Sequence, residues 1–255
     1  MSNEPILRVE ELTKSFGGVV AVHRLSFDLY PGEAMGVIGP NGSGKTTLIN
    51  LITGFVKPDS GRVVFKGKDI TKLAPQKIAN MGIGRTFQIM RPFYSVPAYR
   101  NLVVPLFSRR ARKFAEAGQL GDRDVVAIDI LEDVGFERDA HVPYKPASAL
   151  PLGYLKRLEL ARCIALKSEV MLCDEVFSGL SAAEISSLSP LMERLNMEGA
   201  TLLMIEHRLS ELFRVVNRIM VINFGVKIYE GKPEEALENE GVREAYFGKK
   251  KEGMI

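Results

Sequence analysis

Cysteine is scarce: Cys163 and Cys173 are the only two in the chain. Two thiols cannot build a disulfide framework, and no metal-site spacing accompanies them. Both stand in apolar runs, "ARCIAL" and "VMLCDE", where a thiol packs as a small hydrophobe. Long hydrophobic stretches are missing as well. Nothing approaches the roughly 20 apolar residues of a membrane-spanning helix, so a role at a membrane has to come through a partner. The opening "MSNEPILRVEEL" has no basic region followed by an apolar one. No signal peptide is expected, and the chain is expected in the cytoplasm. One-sided charge is also absent. A formal net charge of +3 is too small to argue for nucleic acid. The basic runs Arg109-Arg110-Ala111-Arg112-Lys113 and Lys249-Lys250-Lys251 read as a solvated face and a solvated tail.

What is present is ordinary for a globular protein: 255 residues, 46% hydrophobic and 25% charged. That length suits one large α/β domain, or a core with a smaller inserted piece. The first third reads as β-rich. "ILRVEEL", "VVAVHRLSFDLY" and "GRVVFKG" carry β-branched residues and alternation, with Gly and Pro between them. "EAMGVIG" is a short buried strand ending in glycine, and "KTTLINLITG" has helical spacing with Gly54 as its stop. Residues from about 89 to 166 change to helical spacing and read as an insertion. From about 168 the pattern alternates strand and helix, through "EVMLCDE", "AAEISSLSPLMERLNMEG", "TLLMIEH" and "RLSELFRVV". Such alternation argues for a parallel sheet covered by helices. "RIMVINFGVKIYEG" then reads as two strands about a turn, and "VREAYFG" as a terminal helix. No internal repeat or low-complexity linker interrupts this order.

"GPNGSGKTT", Gly39 to Thr47, matches the G-x-x-x-x-G-K-[ST] phosphate loop and sits between a strand and a helix, as that motif requires. Its glycines let backbone N–H groups curl around a phosphate, and the helix start adds partial positive charge. Lys45 would reach the outer phosphates, and Thr46 would offer its hydroxyl to Mg²⁺. In "EVMLCDE" an apolar strand delivers Asp174 and Glu175 to a sheet edge, where ligands bind in open α/β folds. Asp174 would hold the Mg²⁺ shell, and Glu175 would take a proton from attacking water. Capping of the next helix is the alternative for this pair. His207 ends another apolar strand, from which it would meet the γ-phosphate, whereas His23 and His141 read as structural. Gln88, ending the strand of "GIGRTFQ", would ligate Mg²⁺ through its amide oxygen; alone it is an unremarkable polar loop residue.

The order of phosphate loop, Gln88, "ALPLGYLKRLELARC", Asp174-Glu175 and His207 resembles the ATP-binding subunits of ABC transporters across essentially the whole chain. "GIGRTFQ", "RPF", "NLVV", "RLELARCIAL" and the ending "IYEGKPEEALENEGVREAYFG" are similar to the ATPase subunit of branched-chain amino acid importers. The resemblance implies an α/β fold: a P-loop NTPase core with a mainly parallel sheet, an N-terminal antiparallel β-subdomain and an inserted α-helical subdomain. The core would span 1–88 and 167–255, and the insertion, with the signature motif, 89–166. It implies ATP and Mg²⁺, ATP hydrolysis, a second ABC ATPase subunit, two transmembrane permease subunits and, indirectly, a solute-binding protein, at the cytoplasmic face of the membrane. Phe16, in "LTKSFGG", matches the aromatic that stacks on adenine, with core packing as its alternative. Gly39, Asn41, Gly42, Ser43, Gly44, Lys45, Thr46 and Thr47 match the phosphate cradle. Gln88 links nucleotide to membrane subunits, and the stretch from about 89 to 105 matches the surface that receives their coupling helix. Ser181, ending "SGLS", stands where many members have Asp or Asn, so the hydrogen bond across the dimer stays open.

The family signature is Leu-Ser-Gly-Gly-Gln or close to it; here Leu150, Pro151, Leu152, Gly153 and Tyr154 are aligned with it. Pro151 has neither the hydroxyl nor an N–H to give a phosphate, although proline is well tolerated at a helix start. One lost hydrogen bond to a charged group is worth roughly 1.5–3 kcal/mol, which weakens the clamp by about one to two powers of ten. In this family two subunits stack head to tail, and each signature faces the other's phosphate loop. Pro151 would therefore weaken the partner's site rather than the one at Lys45. An unlike pair, in which the partner brings a better signature, is favoured; a homodimer with two modest sites is the other arrangement. Within the family, a lipid or lipopolysaccharide exporter ATPase is the rival function, and "VREAYFG" favours amino acids. A soluble ABC ATPase of DNA repair or ribosomes would carry a long coiled coil or tandem units. A kinase or GTPase would show a lid or a base-reading motif. Neither set of features occurs here.

Overall fold

The computed structural model describes residues 4–116 and 122–247. Its elements run β1 (Leu7–Phe16), β2 (Val19–Leu29), β3 (Ala34–Ile38), α1 (Lys45–Ile52), β4 (Ser60–Phe65), β5 (Lys68–Asp69), α2 (Pro75–Met81) and β6 (Ile83–Arg85). A 3₁₀ turn at Tyr99–Leu102 leads into α3 (Val103–Leu106), α4 (Arg109–Glu116), α5 (Arg123–Asp133) and α6 (Leu152–Ala165). The chain continues with β7 (Val170–Asp174), α7 (Ala182–Met197), β8 (Thr201–Ile205), α8 (Leu209–Val215), β9 (Arg218–Asn223), β10 (Val226–Gly231), α9 (Pro233–Ala236) and α10 (Glu240–Phe247).

Two sheets form. The first, ordered β2-β1-β4-β5, is antiparallel throughout. Gly17 and Gly18, at φ 51° and 88°, close its first hairpin. A two-residue loop needs positive φ at both positions to match the twist of the strands. The second sheet is ordered β10-β9-β3-β8-β7-β6; its strands β9, β3, β8, β7 and β6 are parallel, and β10 is an antiparallel edge. The apolar runs read from the sequence are the central strands of this sheet, buried on both faces, where alternation disappears.

Successive residues serve two cores. Met171, Cys173, Leu202 and Met204 face one formed with α5 to α8, whereas Val170, Leu172, Leu203 and Ile205 face the other, shared with α1, α2 and the antiparallel sheet. Each fully buried side chain of this kind contributes about 1.5–3 kcal/mol, so both faces fix the strand register. Cys163 and Cys173 are buried and free, and burial pushes the Cys163 thiol up to about 12. His23 and His141 are both exposed, and neither lines the nucleotide cavity described below. His141 lies in a left-handed turn at φ 54°, its ring 6.1 Å from that of Tyr144. The terminal basic run at 249–251 lies outside the described residues. Among the described residues, no helix is long and apolar enough to cross a membrane.

Candidate nucleotide site

Strand β3 ends at Ile38 and the chain turns through Gly39–Gly44 into α1. A Cβ on Gly39 (φ 154°) would lie 2.0 Å from the Ile222 carbonyl oxygen, so only glycine lets the loop lie on β9. Gly44, at φ 105°, starts α1 from a left-handed conformation without a side-chain cap. The first N–H groups of the helix therefore have no side-chain acceptor, which is what an anion site needs. Ser43 and Lys45 are buried, while Asn41, Gly42 and Thr46 are exposed. The Lys45 ammonium donates to the carbonyls of Gly39 (2.7 Å) and Pro40 (2.9 Å). Burial lowers its pKa, opposed by the charges of Glu175 and Asp174.

Sheet order brings the other residues here. Strands β7 and β8 are adjacent, with Asp174 opposite Ile205, so their C-terminal ends deliver Glu175 and His207 to one edge. A cavity of about 180 Å³ opens between the phosphate loop, Ala21, Glu175 and His207. The Glu175 carboxylate accepts a hydrogen bond from the Gln88 amide at 2.7 Å and lies 3.1 Å from His207 Nε2. Gln88 sits three residues beyond the end of β6 rather than at the strand terminus, in an exposed bend. Three of the residues singled out by spacing thus meet at one carboxylate.

Asp174, 1% exposed, pairs with the Arg85 guanidinium through Oδ2 at 3.0 Å. Its backbone N–H donates to the Thr86 hydroxyl at 3.1 Å. Oδ1 is buried without a hydrogen-bond partner. Burial raises the Asp174 pKa, with Arg85 acting against it. Arg85 also donates to Asn50 at 2.6 Å and stands over the rings of Phe87 and Phe55. Sequence reasoning passed over Arg85; the available signal was an arginine in a strand pattern two residues from Ile83 and from Phe87. It also passed over Lys156 and Glu206, 3% and 2% exposed. Lys156 donates to the Glu175 carbonyl at 2.8 Å, and Glu206 accepts the Phe177 N–H at 2.9 Å. Burial pushes Glu206 up to about 7 and lowers Lys156.

The remaining expected residues lie apart from this cavity. None of Pro151, Leu152, Gly153 and Tyr154 lines it. Pro151 is the N-cap of α6. Tyr154 turns inward: its ring packs edge-on against Phe136 at 5.0 Å and its hydroxyl bonds Glu137. Its side chain is therefore committed to its own chain. Phe16 closes β1 as a 48% exposed ring with the Lys14 ammonium 5.4 Å from its centroid, which argues against core packing. Ser181 caps α7 in a capping box with Glu184, so its hydroxyl already has an intrachain role.

A family model described as ABC transporter matches residues 22–178. The chain is 36% identical to the high-affinity branched-chain amino acid transport ATP-binding protein LivG of Escherichia coli K12, over 96% of this chain and 99% of that protein. Against BraF of Pseudomonas aeruginosa, which bears the same description, identity is 34% over 96% and 99%. Among solved structures, a nucleotide-free ATP-binding cassette from an ABC transporter superposes with a TM-score of 0.83 at 31% identity, over 96% of this chain and 99% of that one. The ADP conformation of such a cassette gives 0.81 at 33%, with the same coverage. The phosphate loop, the acidic pair at the sheet edge and these likenesses agree, and the chain belongs to the ABC transporter family as an ATP-binding, ATP-hydrolysing member.

Proposed function

We propose that this chain is the energy-coupling ATPase subunit of an importer for branched-chain amino acids, seated at the cytoplasmic face of the membrane beneath two permease subunits fed by a solute-binding protein. The single observation that carries the catalytic reading is the Glu175 carboxylate, held by Gln88 and His207 on the rim of the cavity at Lys45. Support for the cargo is the description of the relatives from E. coli, P. aeruginosa and Archaeoglobus fulgidus as branched-chain amino acid transport ATP-binding proteins.

In this reading the loop N–H groups and Lys45 hold the β- and γ-phosphates. A cavity of about 180 Å³ is below the roughly 300 Å³ of a whole-ligand pocket, so it takes the phosphates while the adenine rests outside, against Phe16. Glu175 accepts the proton of the attacking water, and His207 orients that water toward the γ-phosphorus. The oxygen donors of Thr46, Gln88 and Asp174 suit Mg²⁺, a hard cation, and the buried unpaired Oδ1 of Asp174 fits that role. A Mg²⁺ held by these donors would supply charge neutralisation at the phosphates.

An apolar groove of about 350 Å³ beside Gln88, lined by Phe55, Phe87, Val104 and Pro105 among others, receives the coupling helix of a permease subunit. Residues 1–88 and 167–255 act as the ATP-binding core and 89–166 as the helical unit that carries the clamp. The working assembly is a head-to-tail dimer with an unlike ATPase subunit, because Pro151 weakens the clamp this chain offers. The test is the ATPase rate of this chain alone and mixed with a related subunit whose signature is intact. A rate at least ten-fold above either alone supports the unlike pair. A rate that rises with the square of concentration to a normal plateau, for this chain alone, replaces it with a homodimer.

A further inference from the structure

The start of α6 is not open. Glu184 stands at the third position of α7, and one oxygen, Oε2, accepts the Ser181 N–H at 2.8 Å and the Ser181 hydroxyl at 2.7 Å. The other, Oε1, lies 2.7 Å from the point where a Cβ on Gly153 would stand. The two Ser181 contacts, with the Gly153 backbone close by, hold the Glu184 pKa below the usual carboxylate range. One side chain thus places its negative charge at the N-terminal ends of two helices, where partial positive charge gathers.

These contacts change the meaning of Pro151. A proline at the N-cap has no N–H and no hydroxyl, so Leu152 and Gly153 carry the first backbone donors of α6. Gly153 is buried, with the Glu184 carboxylate packed against it. We infer that Glu184 is an internal anion seated in the clamp, and that a partner's γ-phosphate engages α6 only by displacing it. The inference rests on reading the start of α6 as the clamp that serves the partner. Two like charges cannot share one helix start in a water-poor interface, so the carboxylate makes this half of the dimer reluctant to close. Tyr154 packs inward and leaves Gly153 to face Glu184.

The experiment uses the full chain carrying Glu175→Gln, which should hold ATP while slowing its turnover. ATP-dependent dimerisation is measured by sedimentation, with and without Glu184→Gln, and binding of a fluorescent ATP analogue to the monomer is measured alongside. Glutamine keeps the length and an acceptor oxygen but removes the charge. Exchanging a charge-assisted contact for a neutral one is worth about ten-fold, so the dimer constant should tighten by about that factor while monomer affinity for the analogue stays constant. Glu184→Asp, which keeps the charge but draws it back by one methylene, should fall between the two. A dimer constant that stays where it was or weakens, with analogue binding intact, overturns the inference and leaves Glu184 as the cap of α7. Failure of the monomer to bind the analogue at all overturns the nucleotide-site reading itself.

Discussion

Arg85→Met tests how far the catalytic edge depends on one buried pair. The side chains of Arg85 and Asp174 are 8% and 1% exposed and meet at 3.0 Å. Methionine keeps most of the volume between Phe55 and Phe87, so packing loss is small. What it removes is the counter-charge of Asp174 and the hydrogen bond to Asn50. Taking one partner from a buried ion pair costs about 3–5 kcal/mol, because the other charge is left uncompensated. For a chain of this size each kcal/mol moves the melting temperature by about 2–4 °C, so thermal unfolding near neutral pH should show a fall of roughly 6–20 °C. The loss should depend on pH with a definite sign. Burial already raises the Asp174 pKa, with Arg85 opposing; without Arg85 it rises further. A carboxyl whose folded pKa exceeds its unfolded one destabilises the protein at high pH, and is relieved as pH falls through the folded value. The deficit of Arg85→Met should therefore shrink on acidification. Adding Asp174→Asn should recover about half of it, since no bare charge remains. A melting temperature within about 4 °C of the unaltered chain would refute the reasoning, as would a double variant worse than the sum of the singles.

Glu206 obeys the same sign. Its pKa rises from 4.5 to about 7 by burial, so Glu206→Gln should stabilise the chain by up to about 3 kcal/mol above pH 8 and by nothing below pH about 4.5, as read from denaturant melts at both ends. Lys45→Ala should reduce ATP affinity by about 100-fold or more, since it removes charge-assisted contacts to two phosphates; titration with a fluorescent analogue checks this, and unchanged affinity removes the loop assignment. Glu175→Gln should keep ATP affinity and lower turnover by about 100-fold or more. Normal steady-state hydrolysis in that variant would remove Glu175 as the base.

The order of elements was legible because central parallel strands are apolar on both faces. "VMLCD" and "TLLMI" cannot sit anywhere but in a buried sheet, and all ten of their residues are buried there. The meeting of Glu175, Gln88 and His207 was legible as a list, since each stands at or just past a strand end. Their hydrogen bonds were not, because β6 and β7 are separated by more than 80 residues of chain and pairing order is not written in local pattern. Lys156, Glu184 and Glu206 were illegible for a different reason. A charged residue next to apolar ones reads as a surface position of an amphipathic segment. Only the packed structure shows that Lys156 and Glu206 lie inside it, each answering the other's charge. The packing of Tyr154 was not legible either: its ring fills the space over Phe136, a contact that no local pattern announces.

Glu175 itself shows why those buried charges are needed. Its backbone lies at φ 52°, a left-handed conformation that costs a residue with a side chain about 1–3 kcal/mol and persists only when its surroundings over-determine it. Here they do: its N–H donates to Ile205 at 2.9 Å, and its carbonyl accepts from Lys156 at 2.8 Å and from the Ser178 N–H at 3.2 Å. The neighbouring Phe177 N–H is held by Glu206. The turn that aims the carboxylate at Gln88 and His207 is therefore fixed in part by a lysine on α6. A shift of α6 by the length of one hydrogen bond would remove the Lys156 contact and leave the Ile205 and Ser178 bonds to hold the strained turn. Through Lys156 the turn at Glu175 and the position of α6 are linked by a direct contact.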